Sequence, residues 1–258
     1  MAKGLAGNAR HLLLHLGLGT LLTAGISLPA QVAPLAPKWL AGTPIPAVET
    51  FADGLTRHSI ELTEAALIAA LQNSDGEVRS LAAAQLAATD DRPALKAILN
   101  AVELERDVQV QVNMAGAATW LDSQRALDRL QLLCQNLNVP SSARLDAARY
   151  VSNKEIASCY PMVEQIAQTD HDASMRVLAL ETAMSYRGQS DKAQALALST
   201  LSDSDPNVRI ASVEALRFLH ATGAIDTLRH ALEIDGDETV REYIREAIRI
   251  LSIHDKTQ

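Results

Sequence analysis

A five-residue segment returns along this chain at a nearly constant interval. Asp75-Gly76-Glu77-Val78-Arg79 is followed by Asp107-Val108-Gln109-Val110-Gln111, Pro140-Ser141-Ser142-Ala143-Arg144, Asp172-Ala173-Ser174-Met175-Arg176, Asp205-Pro206-Asn207-Val208-Arg209 and Asp237-Glu238-Thr239-Val240-Arg241. The last positions, 79, 111, 144, 176, 209 and 241, are 32, 33, 32, 33 and 32 residues apart. Five of the six are Arg, and five have Asp four residues earlier. Such a beat restricts the chain to stacked supersecondary units, because each unit is too small to bury its own apolar face.

Each unit reads as two helices. Counting from the Val-type position, apolar residues recur at offsets 0, 3, 4, 7, 8 and 11, as in Val240, Tyr243, Ile244, Ala247, Ile248 and Leu251. That is the 3.6-residue period of a helix with one buried face. The Asp before it supplies an N-cap, and Pro206 stands where a helix needs no N–H. Stretches such as LIAAL, ALKAIL, LQLLCQNL and PMVEQIA form the partner helix, and nothing reads as a strand. Offsets 2 and 5 are often apolar as well: Val112, Leu145, Val177 and Ile210, then Ala83, Ala115, Ala148, Leu180 and Val213. A helix apolar on more than one face must be covered from more than one side, which a stack of hairpins achieves. The expected fold is all-α, a curved α-solenoid of about six helical hairpins over residues 63–251, with a short tail at 252–258.

The D-x-x-V-R opening of the second helix resembles the HEAT-repeat family, in particular the short repeats of phycobilisome-lyase-like proteins. The Trp/Leu-Gly/Tyr signature of tetratricopeptide repeats and the Thr-Pro-Leu-His of ankyrin are absent. The resemblance implies a ladder between units, with Arg79, Arg144, Arg176, Arg209 and Arg241 paired to Asp75, Asp107, Asp172, Asp205 or Asp237. An Arg fork matches a carboxylate geometrically, so a structural ladder is favoured over an anion-binding track. Gln111 and Pro140 depart from the pattern and should loosen the stack locally.

The chain ahead of the repeats has another character. Lys3 and Arg10 precede the apolar run 12–28, and the first acidic residue is Glu49. A basic start, an apolar stretch and Ser27-Leu28-Pro29-Ala30 fit a secretory signal within residues 1–30. A membrane anchor through 12–28 and a buried helix are the alternatives; the run falls slightly short of the roughly 20 apolar residues that span a bilayer. Charge placement favours export, or anchoring that faces outside the cytoplasm. Five of nine prolines lie between residues 29 and 46, so residues 31–62 read as an extended linker followed by a possible capping helix at 47–58.

Chemistry is sparsely represented. None of the seven His is followed by Glu, and no H-E-x-x-H, G-x-S-x-G or phosphate-cradling glycine loop occurs. His171 between Asp170 and Asp172 reads better as a solvated cap than as a metal ligand. No catalytic residue, metal site or cofactor is expected. A net charge of −8 opposes nucleic-acid binding, which depends on Lys and Arg releasing phosphate counterions. The two cysteines, Cys134 late in one first helix and Cys159 just before the next, would lie on the order of 15 Å apart by helix rise. Two thiols and no bridge are therefore expected.

What remains is a surface. In this family the second helices line the concave face, which places offsets 6, 9 and 10 in a groove. Those positions include Arg149, Glu181, Glu214 and Glu246, with Trp120, Arg217 and Phe218 nearby. Trp120 and Phe218 are candidate anchors for a partner, with packing against the next turn as the alternative. Glu181, Glu214 and Glu246 would form an acidic stripe suited to a basic peptide. The function read from this is a non-catalytic protein-binding adaptor. The alternative is a chromophore- or cofactor-lyase-like maturation factor on the same scaffold, opposed by only 3% aromatic residues.

Overall fold

The computed structural model describes residues 50–255; the apolar run 12–28, the proline-rich stretch and the last three residues lie outside them. A short helix, α1 (Phe51–Arg57), precedes six hairpins. Their first helices are α2 (Glu64–Ala70), α4 (Leu95–Leu104), α6 (Gln124–Gln135), α8 (Tyr160–Thr169), α10 (Ser190–Thr200) and α12 (Ile225–Ile234). Their second helices are α3 (Gly76–Ala88), α5 (Val108–Trp120), α7 (Ser141–Ser152), α9 (Ala173–Met184), α11 (Pro206–Phe218) and α13 (Glu238–Asp255). There is no strand among the described residues. Each second helix packs on its own first helix and on the second helices before and after it, so the second helices form one continuous row. This is an α-solenoid of stacked helical hairpins.

Local chemistry sets the ends of these helices. Asp75, Asp107, Asp172 and Asp205 each accept a hydrogen bond from the N–H two residues on, at 2.8–2.9 Å. Asp237 accepts from Val240 N at 3.1 Å. These bonds satisfy first-turn N–H groups that would otherwise lack partners. Pro140 cannot do this, and α7 has no side-chain cap. Ser59, Asp90 and His220 take a left-handed conformation (φ 58°, 53° and 51°) just beyond α1, α3 and α11. At these three ends the next N–H bonds back five residues, to Leu55, Leu86 and Leu216, closing the helix and turning the chain.

Packing explains the doubled apolar faces. Ala83, Ala115, Ala148, Leu180 and Val213 are all at most 1% exposed, between one second helix and the next. In the sixth unit Glu242 and Arg245 stand at offsets 2 and 5 and are exposed, so α13 ends the stack with a polar face. At the other end α1 runs back along α3. Arg57 at its end meets Glu77 at the start of α3 (2.9 Å), while Phe51 at its start reaches Trp120 at the end of α5 (ring centroids 6.3 Å). Gly54 allows this approach, since a Cβ there would lie 2.9 Å from Leu81 Cδ1.

The ladder exists, but its acceptors differ from those expected. Arg79 forks onto Glu105 (2.6 and 3.0 Å), Arg176 onto Asp203 (2.9 and 2.7 Å) and Arg209 onto Asp235 (2.7 and 3.0 Å). Each acceptor lies two residues before the next unit's capping Asp and also accepts that Asp's N–H at 2.8–2.9 Å. Asp107, Asp205 and Asp237 are not the rungs because their carboxylates are committed to their own helix starts. The third arm of each Arg, Nη1, donates to a carbonyl of its own unit: Asn73, Asp170 and Asp203, at 2.7–2.8 Å. One side chain thus ties two consecutive interhelix turns together.

The rungs change where the sequence departs. Gln111 donates to Val102 O at 2.8 Å and accepts from Arg129 at 3.0 Å. Arg144 donates through Nε to Cys134 O at 3.0 Å, while Asp170 accepts from Ser141 Oγ at 2.7 Å. Arg241 pairs with Glu238 of its own helix at 3.2 Å.

The expectation for the cysteines fails. Cys134 and Cys159 form a disulfide with Cα atoms 6.0 Å apart, and the described residues contain no free cysteine. Parallel stacking fixes the direction of equivalent helices but not how their ends are staggered. The turn leading into α8 lies against the C-terminal half of α6, where Ser158 Oγ also bonds Gln131 Oε1 at 2.9 Å.

Candidate functional site: the groove of the second helices

The face of the second-helix row left open by the first helices carries three lines of residues. Offset 3 gives Leu81, Asn113, Asp146, Leu178, Ala211 and Tyr243; offset 6 gives Ala84, Gly116, Arg149, Glu181, Glu214 and Glu246; offset 10 includes Trp120 and Phe218. Leu81 and Trp120 are also where α1 touches the row, so α1 lies over the groove side of the first two units.

The predicted residues divide. Trp120 is half-buried, packed against the hydrophobic core and beside Phe51, so it is part of the join between α1 and α5. Phe218 is 52% exposed. The three glutamates are not a bare acidic stripe: Glu181 pairs with Arg149 (3.5 Å), Glu214 with Arg217 (2.5 Å) and Glu246 with Arg249 (2.6 Å). The Arg249 guanidinium, and Arg217 at longer range, hold the Glu246 carboxyl below its ordinary value. In the fifth and sixth units the groove is therefore a ribbon of alternating charge. The structure brings Glu214, Arg217 and Glu246 together; Arg149 and Glu181 form a separate pair across the third and fourth units.

The first three units hold residues that sequence reasoning passed over. A cavity of about 320 Å³ lies between α1, α3 and α5, lined by Thr50, Gly54, Arg57, Gly76, Glu77, Ser80, Leu81, Val110 and Asn113. Asn113 Oδ1 accepts from Gln109 Nε2 at 3.4 Å, and the same Nε2 donates to Asp146 Oδ2 at 2.9 Å. Beside Asp146, the Tyr150 ring lies directly on Gly116, where a Cβ would fall 2.2 Å from the ring. Burial pushes the Asp146 carboxyl above its ordinary value, against the Gln109 bond and the charge of Arg149. Burial likewise pushes the Tyr150 hydroxyl far up, aided by the Asp146 charge. Every other carboxyl with a resolved shift among the described residues is moved down, so Asp146 stands apart. Perturbed groups of this kind concentrate at functional positions. The signal was present in the sequence, since Asp146 is the one acid in the offset-3 row.

Among the described residues no three His, Cys, Asp or Glu side chains are grouped to hold a metal, and no helix is long and apolar enough to cross a membrane. His171 is 99% exposed.

No curated protein matches the sequence. A chain in the solved complex of CpcE and CpcF of phycocyanin lyase from Nostoc sp. PCC7120 is similar at 16% identity, covering 89% of this chain and 100% of its own, with a TM-score of 0.41. A family model for HEAT repeats matches residues 160–249, and hairpins of the same kind recur from Glu64 to Asp255.

Proposed function

We propose that the protein is a non-catalytic adaptor that presents the groove of its second helices to another protein. The observation that carries this reading is the open second-helix row. It combines an exposed Phe218, a ribbon of paired charges and, toward α1, a cavity edged by polar side chains. A large apolar side chain beside charged groups is the composition of a binding hot spot with its rim. Affinity capture with cross-linking from native extract tests the reading. Phe218→Ala together with Arg217→Glu should cut recovery of the cross-linked partner by at least about tenfold, with the fold intact. Unchanged recovery from both this variant and one altered at Asp146 would end the proposal.

We also propose that the chain works outside the cytoplasm. The disulfide between Cys134 and Cys159 supports this, because such bonds persist in oxidising compartments. The basic start and apolar run at 12–28 support it independently. Residues 1–62 fused to a reporter active only after export should give activity; a silent, intact fusion would contradict the proposal.

A further inference from the structure

We propose that Asp146 is the receiving site for a lysine or arginine side chain of a partner peptide lying in the groove beside α1. The inference rests on the adaptor reading and names the chemistry its partner must bring. Asp146 stands on α7 in the groove line of offset 3 and is linked through the Gln109 amide to Asn113, which lines the cavity between α1, α3 and α5. Its Oδ2 accepts from Gln109; among the described residues it has no ion pair. Arg149, one turn along the same helix, reaches instead to Glu181 of the next unit. The other partly or fully buried acids of the turns are each committed: Glu105, Asp203 and Asp235 to an arginine fork, and Asp170 to Ser141.

A half-buried carboxylate whose one hydrogen bond comes from a neutral amide, with Arg149 acting on it only at longer range, gains from an incoming cation. Burial raises the Asp146 carboxyl, and the Gln109 bond and the Arg149 charge do not offset it. The cavity that Asn113 lines is walled by Leu81 and Val110, with Gly54 and Gly76 adding no side chain, so an apolar residue of the same peptide has a place to lie. Charge decides the class of occupant. Asp146 and the acidic total of the chain attract a basic peptide and repel the phosphates of a nucleic acid.

The test uses the full chain, isotope-labelled, titrated with a short synthetic peptide of Gly and Leu around a single Lys. Versions with Gln or Glu in place of that Lys are the controls. The Lys peptide should shift the side-chain amide signals of Gln109 and Asn113 saturably. The Gln peptide should bind roughly tenfold more weakly, and the Glu peptide weaker still. Asp146→Asn, which keeps an oxygen for Gln109, should bring the Lys peptide down to the Gln peptide's level with an unlowered melting temperature. No saturable shift, or equal binding to wild type and Asp146→Asn, would overturn the inference. If Phe218→Ala with Arg217→Glu loses the captured partner while Asp146→Asn keeps it and binds the Lys peptide normally, this inference fails and the adaptor reading stands. If the Lys peptide behaves as described but neither variant alters partner capture, the adaptor reading fails and the cation site stands.

Discussion

Arg144 donates to the backbone oxygen of Cys134, and Cys134 is in turn bonded to Cys159 in the following unit. At this junction the usual fork of arginine onto the next unit's carboxylate is replaced by a covalent link. The stack is thus held by two devices, ion-pair rungs at its ends and a disulfide in its middle.

The disulfide closes a loop with a sequence separation of 25. In the chain-entropy model a loop of that size contributes about 3.5 kcal/mol. Replacing both cysteines by Ser should lower the melting temperature by about 10 °C, read by circular dichroism. Thiol titration of the denatured wild type should find none before reduction and two after it. Two thiols before reduction would show that the pair is not joined.

Rungs and caps should differ in weight. Arg209 and Asp235 are 15% and 7% exposed, so Arg209→Ala leaves a nearly buried carboxylate without its fork and should cost roughly 3 kcal/mol. Asp205→Ala removes only a cap and should cost about 1 kcal/mol. Urea unfolding measures both; equal losses would show that the capping Asp contributes to the rung after all.

Acid should loosen the ladder in a defined window. The Arg209 fork holds Asp235 below its ordinary value, while in Glu105 and Asp203 burial pulls upward but is outweighed by arginine and backbone N–H groups. A carboxyl lowered by folding contributes stability above its unfolded value and loses it as pH falls toward its folded one. Urea midpoints should therefore be flat from neutrality to about pH 5 and decline below about pH 4. Asp235→Asn should be weaker at neutral pH and show a shallower acid decline.

Gly116 is a packing residue for Tyr150. Gly116→Ala should destabilise by roughly 1–3 kcal/mol, because the new Cβ falls on the outer atoms of the ring. Combining it with Tyr150→Leu should cost less than the sum of the two changes, since a shorter side chain clears the clash. Strict additivity in the double-mutant cycle would mean that the two residues do not meet.

The hairpins were legible because their causes are local. An Asp cap and a 3.6-residue apolar period act within one helix, so Asp205-Pro206 and the run after Val208 can be read without knowing any neighbour. The paired acids Glu105/Asp107, Asp203/Asp205 and Asp235/Asp237 were equally visible, yet the division of labour within each pair was not. Either acid could meet an arginine, and only the helix start decides which one is already engaged. The groove shows the same limit: Glu181, Glu214 and Glu246 line up by register, but whether they stand bare depends on arginines one turn or one unit away.

By itself, then, the sequence determined a run of six hairpins and which helix faces must be covered, because periodicity and capping are properties of short segments. The tertiary structure alone decided that Cys134 meets Cys159, that Trp120 is occupied by Phe51, and that Asp146 is linked through Gln109 to the cavity-lining Asn113. Those outcomes depend on how far one hairpin slides along the next and on where α1 crosses the row. Both are set by side-chain packing between units, and no repeat pattern encodes them.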